Sequence, residues 1–382
     1  MGRARESAVR IVILDLKWSY GIEVLTRQVA RQLRKRAEVT VISAERPQCA
    51  DGVRVARQDN YCELVLAFFN PLVYLRLLRR IRRVDPQVIY IISPHVLNVP
   101  VVLLCKWFTR AIVISHIHDP AHSGGLVVDT IVDLVSRMQS KWSDRVYCWG
   151  KAIQDAIARK FHVPASRIAI FRHGPGHPTP GDTVESMAAK PSPKYFSQIG
   201  TIMDRKGIEY FLEAARLFNE KHGAEAAQFL LAGTGSLEKY QPQMERLPNL
   251  VVHNRFLEDA EVNDILASSY ASVLPYTEGV MQSSFIAIAY GNGCPVIVSD
   301  IGSLPEGVEV GKTGFVVERK NAEQIAEAMT KIYTGNSKAF SANCLKFYRE
   351  KFSWESLGEE FYRDMANSVA LRNGAVLEER QS

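Results

Sequence analysis

No two cysteines in the 382-residue chain stand at C-x-x-C spacing. The six present, Cys49, Cys62, Cys105, Cys148, Cys294 and Cys344, lie far apart with no histidine cluster beside them. That pattern suits reduced thiols in a cytosolic protein better than disulfides or zinc. No apolar run reaches the roughly 18 residues that a membrane span needs. The start, MGRARESAVRIVILDLKW, places positive charge before an apolar stretch, but Asp15 cuts that stretch short. It reads as a first buried strand, not a signal peptide, and Glu6 breaks the myristoylation pattern. A cytoplasmic protein is expected, soluble or peripheral on the membrane face.

Motifs of several chemistries are also missing. There is no G-x-S-x-G, no G-x-x-x-x-G-K-[ST], and no G-x-G-x-x-G after the first strand. Hydrolase, P-loop and dinucleotide-binding readings are therefore poorly supported. Without zinc-finger spacing or an aromatic RNA-binding signature, nucleic acid ranks last among partners. No repeat of 20–50 residues appears.

What is present is ordinary globular composition, 47% hydrophobic and 23% charged, with length enough for two domains. The charge is unevenly placed. Residues 1–180 hold 27 Lys and Arg against 14 Asp and Glu, a balance of +13, while residues 181–382 hold 20 against 27, a balance of −7. Such asymmetry points to two bodies with different partners, the basic one suited to anionic lipid or a phosphorylated acceptor.

Short β-branched runs alternate with amphipathic stretches in both halves. RIVILDL, AEVTVIS, QVIYIIS, AIVISHIHD, DRVYCWG and RIAIFRHG read as strands of the first, with helices such as Glu23–Arg36 and Ile153–Phe161 between them. Continuous apolar strands separated by helices predict a parallel sheet covered on both faces. The Pro- and Gly-rich HGPGHPTPGD, residues 173–182, reads as a linker. The pattern then restarts with KYFSQIG, a helix from Lys206, QFLLAGTG, NLVVHNRF, ASVLPY, a helix from Gln282, PVIVSD and TGFVVE. The expected fold is α/β, two doubly wound Rossmann-like domains facing each other across a cleft, at 1–178 and 179–350. Ligands bind at the carboxyl ends of such sheets. In 351–382, Trp354, Leu357, Phe361, Met365 and Val369 keep helical spacing, as in a helix returning to brace the first domain; the last residues are expected to fray.

Four places carry candidate chemistry. In SQIGTIMDRKGIEYFLEAARLF a strand ends at Gly200 and a helix begins near Lys206, with Arg205 beside it; free amides and two cations make an anion site, or the cations are simply solvated. In MQSSFIAIAYGNGCPV, Ser283 and Ser284 stand at a helix start, where they cap the first turn or leave its amides for phosphate oxygens. In SHIHDPAHSGG, strand alternation puts His116 and His118 on one face and Asp119 on the other; a metal with His122 is one reading, a hydrogen-bonding histidine the other. His173 ends a strand, facing the cleft or serving as a hinge. No Asp-x-Asp occurs, so the carboxylate pair that would bind a metal–nucleotide complex is absent and no metal is expected.

Taken in order, IGTIMDRKGIEYFLEAARLF, FLLAGTGSLEKY, NLVVHNRF, SSYASVLPY, MQSSFIAIAYGNGCPVIVSDIGSLPEGVEVGKTGFVV and the helix around Trp354 resemble the retaining GT-B glycosyltransferases of family four. The first half matches loosely through Gly21-Ile22-Glu23, DPQVIYI, HIHDP and RIAIFRHG. The resemblance implies transfer of a sugar from a nucleotide-sugar donor with retention at the anomeric carbon and no metal or other cofactor. The donor would lie on the second domain and the acceptor on the first. It implies catalytic roles for His118, directed at the donor sugar, and Lys206, paired with the diphosphate, beside Gly200, Thr201, Arg205 and Glu306. Gly21 and His173 fall on the acceptor side.

The chain also departs from the family pattern. Thr201 stands where many members have arginine, and Val280 and Ile288 where many have two glutamates. Glu278, two residues early, is the candidate substitute for the first of these. Gln282, Ser283, Ser284 and Phe285 form a variant helix start that would bind through side chains and backbone. The alternatives are a sugar-nucleotide epimerase of the same fold and a non-catalytic glycosyltransferase-like subunit.

Finally, NPLVYLRLLRRIRRVDPQ sets Arg76, Arg79, Arg80, Arg82 and Arg83 among apolar residues. It is a core-facing helix with a solvated basic edge, or a rim that meets anionic lipid. The second reading suits a glycan or polyprenyl-diphosphate-linked acceptor, as in bacterial polysaccharide biosynthesis.

Overall fold

The computed structural model describes residues 8–16, 20–43, 61–93, 95–118, 126–182, 191–278 and 282–374. Contacts divide the chain into two compact units. The first holds the described residues up to Phe171 together with those from Leu357, and the second spans Arg172–Ser356.

The first unit starts with β1 (Arg10–Asp15), α1 (Tyr20–Leu33), β2 (Glu38–Ser43), α2 (Tyr61–Phe69) and α3 (Pro71–Val84). It continues with β3 (Val88–Ile91), α4 (Asn98–Phe108), β4 (Ile112–His116), α5 (Leu126–Trp142), β5 (Arg145–Cys148), α6 (Lys151–Phe161) and β6 (Ile168–Ile170). Its strands form one parallel sheet in the order β2-β1-β3-β4-β5-β6. The Val- and Ile-rich strands β3 and β4 are buried at every position, as expected of a sheet covered on both faces.

The second unit holds β7 (Tyr195–Ile199), α7 (Ile208–His222), β8 (Gln228–Ala232), α8 (Gln241–Met244), β9 (Leu250–His253), α9 (Asp259–Ala267) and β10 (Ser269–Leu274). Then come α10 (Phe285–Gly291), β11 (Val296–Ser299), β12 (Gly314–Val317), α11 (Ala322–Tyr333) and α12 (Ser337–Lys351), followed by α13 (Trp354–Arg372), whose residues from Leu357 belong to the first unit. The sheet order is β12-β11-β10-β7-β8-β9, again parallel. The chain builds from β7 outward to β9 and then crosses to put β10 on β7's other side. That reversal is a topological switch point, the place where ligands bind in open α/β sheets.

The helix expected at the C-terminus is α13. Leu357, Phe361 and Met365 are buried on the first unit. Phe361 stacks on Phe171 at 4.2 Å between ring centres. Asp364 accepts hydrogen bonds from Arg145 and from the Tyr147 hydroxyl at 2.7 Å. The proline–glycine run expected as a linker is packed instead. Trp354 Nε1 donates to the Pro175 carbonyl at 3.1 Å, and the Tyr348 hydroxyl donates to Asp182 at 2.6 Å. A Cβ at Gly181 would lie 2.9 Å from the Gly291 carbonyl oxygen, so 172–182 seats on the second unit because its glycines allow backbone contact.

Candidate functional site

At the end of β7 the Gly200 amide donates to the Ala232 carbonyl at 2.9 Å. A side chain at Gly233 would strike the Gly200 oxygen at 1.8 Å, which keeps the two strand ends close. Thr201 follows, exposed. The helix expected from Lys206 begins two residues later. Asp204–Lys206 is a 3-10 turn closed by Gly207 in the left-handed region at φ 68°. Asp204 anchors the turn, accepting from the Tyr240 hydroxyl at 2.6 Å and pairing with Lys239 at 3.0 Å. The Tyr240 bond, then Lys239, hold its carboxyl below the usual range.

This turn is zipped to the segment leaving β10. The Thr277 amide donates to the Arg205 carbonyl at 3.0 Å, and the buried Gln198 side chain donates to the Lys206 carbonyl at 2.7 Å. The Lys206 ammonium lies 3.7 Å over the ring of Tyr276, itself 3% exposed. Gly200, Thr201, Lys206 and Tyr276 line one crevice. A half-buried cation is thus aimed by an aromatic face at the switch point. Arg205 is half-buried beside it, its Nε 3.0 Å from the Met203 sulfur. Tyr276 and Gln198 are site residues that sequence reasoning missed. The available signal was an aromatic directly after the strand-ending Leu-Pro.

The second expected helix start differs from its reading. α10 begins at Phe285, not Gln282, and Ser284 makes no side-chain cap. Ser283 Oγ accepts the Phe285 amide at 3.3 Å, and Gln282 Oε1 accepts the Ser283 amide at 3.2 Å. The local side chains compete with helical hydrogen bonding, and the helix starts only where they are spent. From Ile286 to Gly291 the helix is buried throughout. Ile288 is 5% exposed and packs in the core, where the family pattern has a carboxylate; Val280 lies outside the described residues. The Tyr290 hydroxyl donates to the Gly307 carbonyl at 2.8 Å and lies 3.0 Å from the Thr313 hydroxyl. That pins the Pro305–Gly307 turn, which carries an exposed Glu306, to α10. Glu278 is exposed as well.

In the first unit Gly21 is exposed at the second residue of α1, and nothing lies within 4 Å of where its Cβ would be. The His116 and His118 rings stack at 4.6 Å, in keeping with the shared face expected from alternation. The Trp149 indole donates to His118 Nδ1 at 3.1 Å, so His118 Nε2 carries the proton and donates to the Ile92 carbonyl at 2.7 Å. Donation from His118 to a sugar hydroxyl therefore requires release of Ile92. Asp119 and His122 lie outside the described residues, among which no group of three or more candidate metal ligands occurs. His173, expected on the acceptor side, belongs to the second unit, with Nδ1 2.8 Å from the Gly174 oxygen. Burial holds its pKa below the ordinary value, against the opposing effect of the Gly174 carbonyl.

Comparison with known proteins accords with this architecture. Residues 193–335 match a family model described as glycosyl transferases group 1, and residues 20–174 match glycosyltransferase family 4. The two stretches are glycosyltransferase domains. The chain is 22% identical over 263 residues to a glycosyltransferase of Methanocaldococcus jannaschii, covering 64% of this chain and 66% of the relative. It is 21% identical over 265 residues to alpha-D-kanosaminyltransferase of Streptomyces kanamyceticus, covering 62% and 66%. The matches thus span just under two thirds of these relatives' length. Among solved structures it is similar to HepE of Anabaena in complex with UDP, at a TM-score of 0.69 and 14% identity, covering 94% of this chain and 100% of the other. HepE is also solved with UDP-glucose, at a TM-score of 0.65, 15% identity and coverage of 95% and 99%. The fold is the two-domain, Rossmann-like GT-B fold.

Proposed function

We propose that this chain, whose two halves are glycosyltransferase domains on a GT-B fold, moves a sugar from a nucleotide-sugar donor to a glycan or lipid-diphosphate-linked glycan. It does so with retention and without a metal, in bacterial polysaccharide assembly. The observation that carries the reading is the Lys206 ammonium held over Tyr276 at the switch point of the second sheet. HepE's UDP and UDP-glucose complexes support the donor class.

The donor diphosphate would meet Gly200, Thr201, Arg205, Lys206 and the amides near Ser284. As the bond from anomeric carbon to diphosphate oxygen breaks, its electron pair leaves with that oxygen. The acceptor oxygen bonds to the same face of the carbon, and its proton passes to the departing diphosphate. Negative charge grows on the leaving group, so the two cations stabilise the transition state more than the ground state. Glu278 and Glu306 would hold sugar hydroxyls, His118 would be directed at the donor sugar, and Gly21 would serve the acceptor side.

A thermal-shift panel of nucleoside diphosphates and nucleotide sugars tests the donor, because a specific ligand stabilises only the folded chain. With the responding donor, Lys206→Ala should lower turnover by roughly a hundredfold or more while leaving the melting temperature in place. Transfer by that variant at the parental rate removes the lysine from the mechanism. Product anomeric configuration and insensitivity to a chelator check retention and metal independence.

One observation favours a second reading. Ile288 is buried where many members of the resembled family carry a glutamate, as it would be in a non-catalytic subunit. Donor binding without transfer until a partner chain is added would favour it, and donor turnover without any acceptor would favour an epimerase.

A further inference from the structure

The first unit carries an exposed surface that the transfer reading does not use. On α3, Leu77, Leu78 and Ile81 face the core, while Leu72, Leu75, Arg76, Arg79, Arg82 and Arg83 recur at helical spacing and are all exposed. The outward stripe is thus apolar for one turn and then wholly basic. The apolar part continues into α2 across the single residue Asn70. Asn70 Oδ1 accepts the Leu72 amide at 3.0 Å, and the Tyr74 hydroxyl donates to the Phe68 carbonyl at 2.7 Å, which fixes the two helices to each other. Ala67 packs in the core cluster with Leu77 and Ile81, and this turns Leu66 and Phe69 outward at 72% and 77% exposure. Leu72, at 54%, extends the same patch.

We infer that this α2–α3 surface docks on an anionic lipid bilayer, with Leu66, Phe69 and Leu72 entering the acyl boundary and the arginines lying among the phosphate headgroups. Charge decides the occupant. No acidic residue occurs from Leu64 to Val84, and Arg76, Arg79, Arg82 and Arg83 make no ion pair among the described residues. A second copy presenting the same face would set arginine against arginine. Residues 44–60 hold three arginines against three carboxylates, and their only branched aliphatic side chains are Val53 and Val55, so that stretch offers little apolar cover and no net negative charge. A helix that combines apolar residues with a one-signed basic face lies in the plane of a membrane surface. Among the described residues no helix is long and apolar enough to cross one.

The test is flotation of the full chain with vesicles of phosphatidylcholine alone or mixed with phosphatidylglycerol. Variants are Leu66→Ser with Phe69→Ser, and Arg79→Gln with Arg82→Gln and Arg83→Gln. Binding should require phosphatidylglycerol and weaken with salt. It should fall roughly fivefold for each arginine neutralised and at least tenfold for the serine pair. Melting temperature and nucleotide thermal shift should stay unchanged, so this surface can fail without the donor site failing, and the reverse. Absence of flotation with either vesicle, or flotation undiminished in both variants, overturns the assignment. A dimer in sedimentation that the serine pair dissolves overturns it too, in favour of self-association.

Discussion

Replacing Gly207 by alanine isolates what the lysine turn depends on. A Cβ there would fall 1.8 Å from the Pro275 carbonyl oxygen, and real Cβ contacts essentially never come under 3.0 Å, so something must move by more than 1 Å. The moving part is backbone on both sides, the turn of Lys206 or the end of β10. A left-handed alanine costs about 1–2 kcal/mol by itself, and forcing the two segments apart adds about 1–3 kcal/mol. The expected total is about 2–5 kcal/mol. Gly311→Ala is the control. Its φ is 77°, and nothing lies within 4 Å of the added carbon, so it should cost only the backbone share. Urea unfolding followed by fluorescence gives both values. Titration with the nucleotide found by thermal shift gives the functional consequence, expected as at least tenfold weaker binding for Gly207→Ala alone. Equal stability losses in the two variants, with nucleotide affinity untouched, would show that contact between the turn and Pro275 does not organise this site.

Three further outcomes are expected. Tyr276→Phe should keep nucleotide affinity within about twofold, whereas Tyr276→Leu should weaken it by roughly 3- to 30-fold, the worth of about 0.5–2 kcal/mol for a cation–π contact; calorimetric titration decides, and parental affinity in the leucine variant refutes the role given to the ring. Phe361→Ala removes a fully buried ring stacked on Phe171 and should cost about 3–5 kcal/mol, read as early unfolding in urea with nucleotide affinity retained; a loss below about 1 kcal/mol would mean that α13 is not anchored there. Because burial lowers the His173 pKa in the folded chain, the unfolded chain binds the proton first. The stability linked to His173 should be intact above pH about 6.5 and decline as pH falls through and below that value. His173→Gln should lose less stability between pH 8 and pH 5 than the parent, and parallel pH profiles would exclude the linkage.

The sheets were legible because burial on both faces leaves a plain mark: RIVILD, VIYI and VIVS read as strands and are strands with core positions almost throughout. The last helix was legible for a similar reason, since Trp354, Leu357, Phe361, Met365 and Val369 repeat at helical spacing and all five are buried. Helix openings were less legible. Around Gln282 and Ser283 two side chains take up backbone amides and delay α10 until Phe285, a competition that hydrophobic periodicity does not register. Near Lys206 the decisive partners, Tyr276 and Pro275, are about 70 residues away in sequence, so local pattern could find the cation but not what aims it. His118 shows the same limit. Its strand face follows from alternation, but the Trp149 and Ile92 bonds that fix its proton come from two other strand ends.

These local arrangements also shift the balance of charge recognition at the switch point. α10 is only seven residues long and buried along its sides, so whatever it offers a phosphate must come from its first amides. Two amides of that opening already serve Gln282 and Ser283. An incoming anion must displace those acceptors or settle for the Ser284 amide between them, and either route reduces the net gain from the helix start. The lysine turn pays no such exchange for its ammonium, because Tyr276 contributes a ring face and not a competing acceptor atom. The anion is therefore expected to draw more of its binding from Lys206, with Arg205 beside it, than from α10. Exchanging Gln282 for alanine should consequently change affinity far less than removing the lysine. The reverse ranking in a nucleotide titration would return the leading role to the helix.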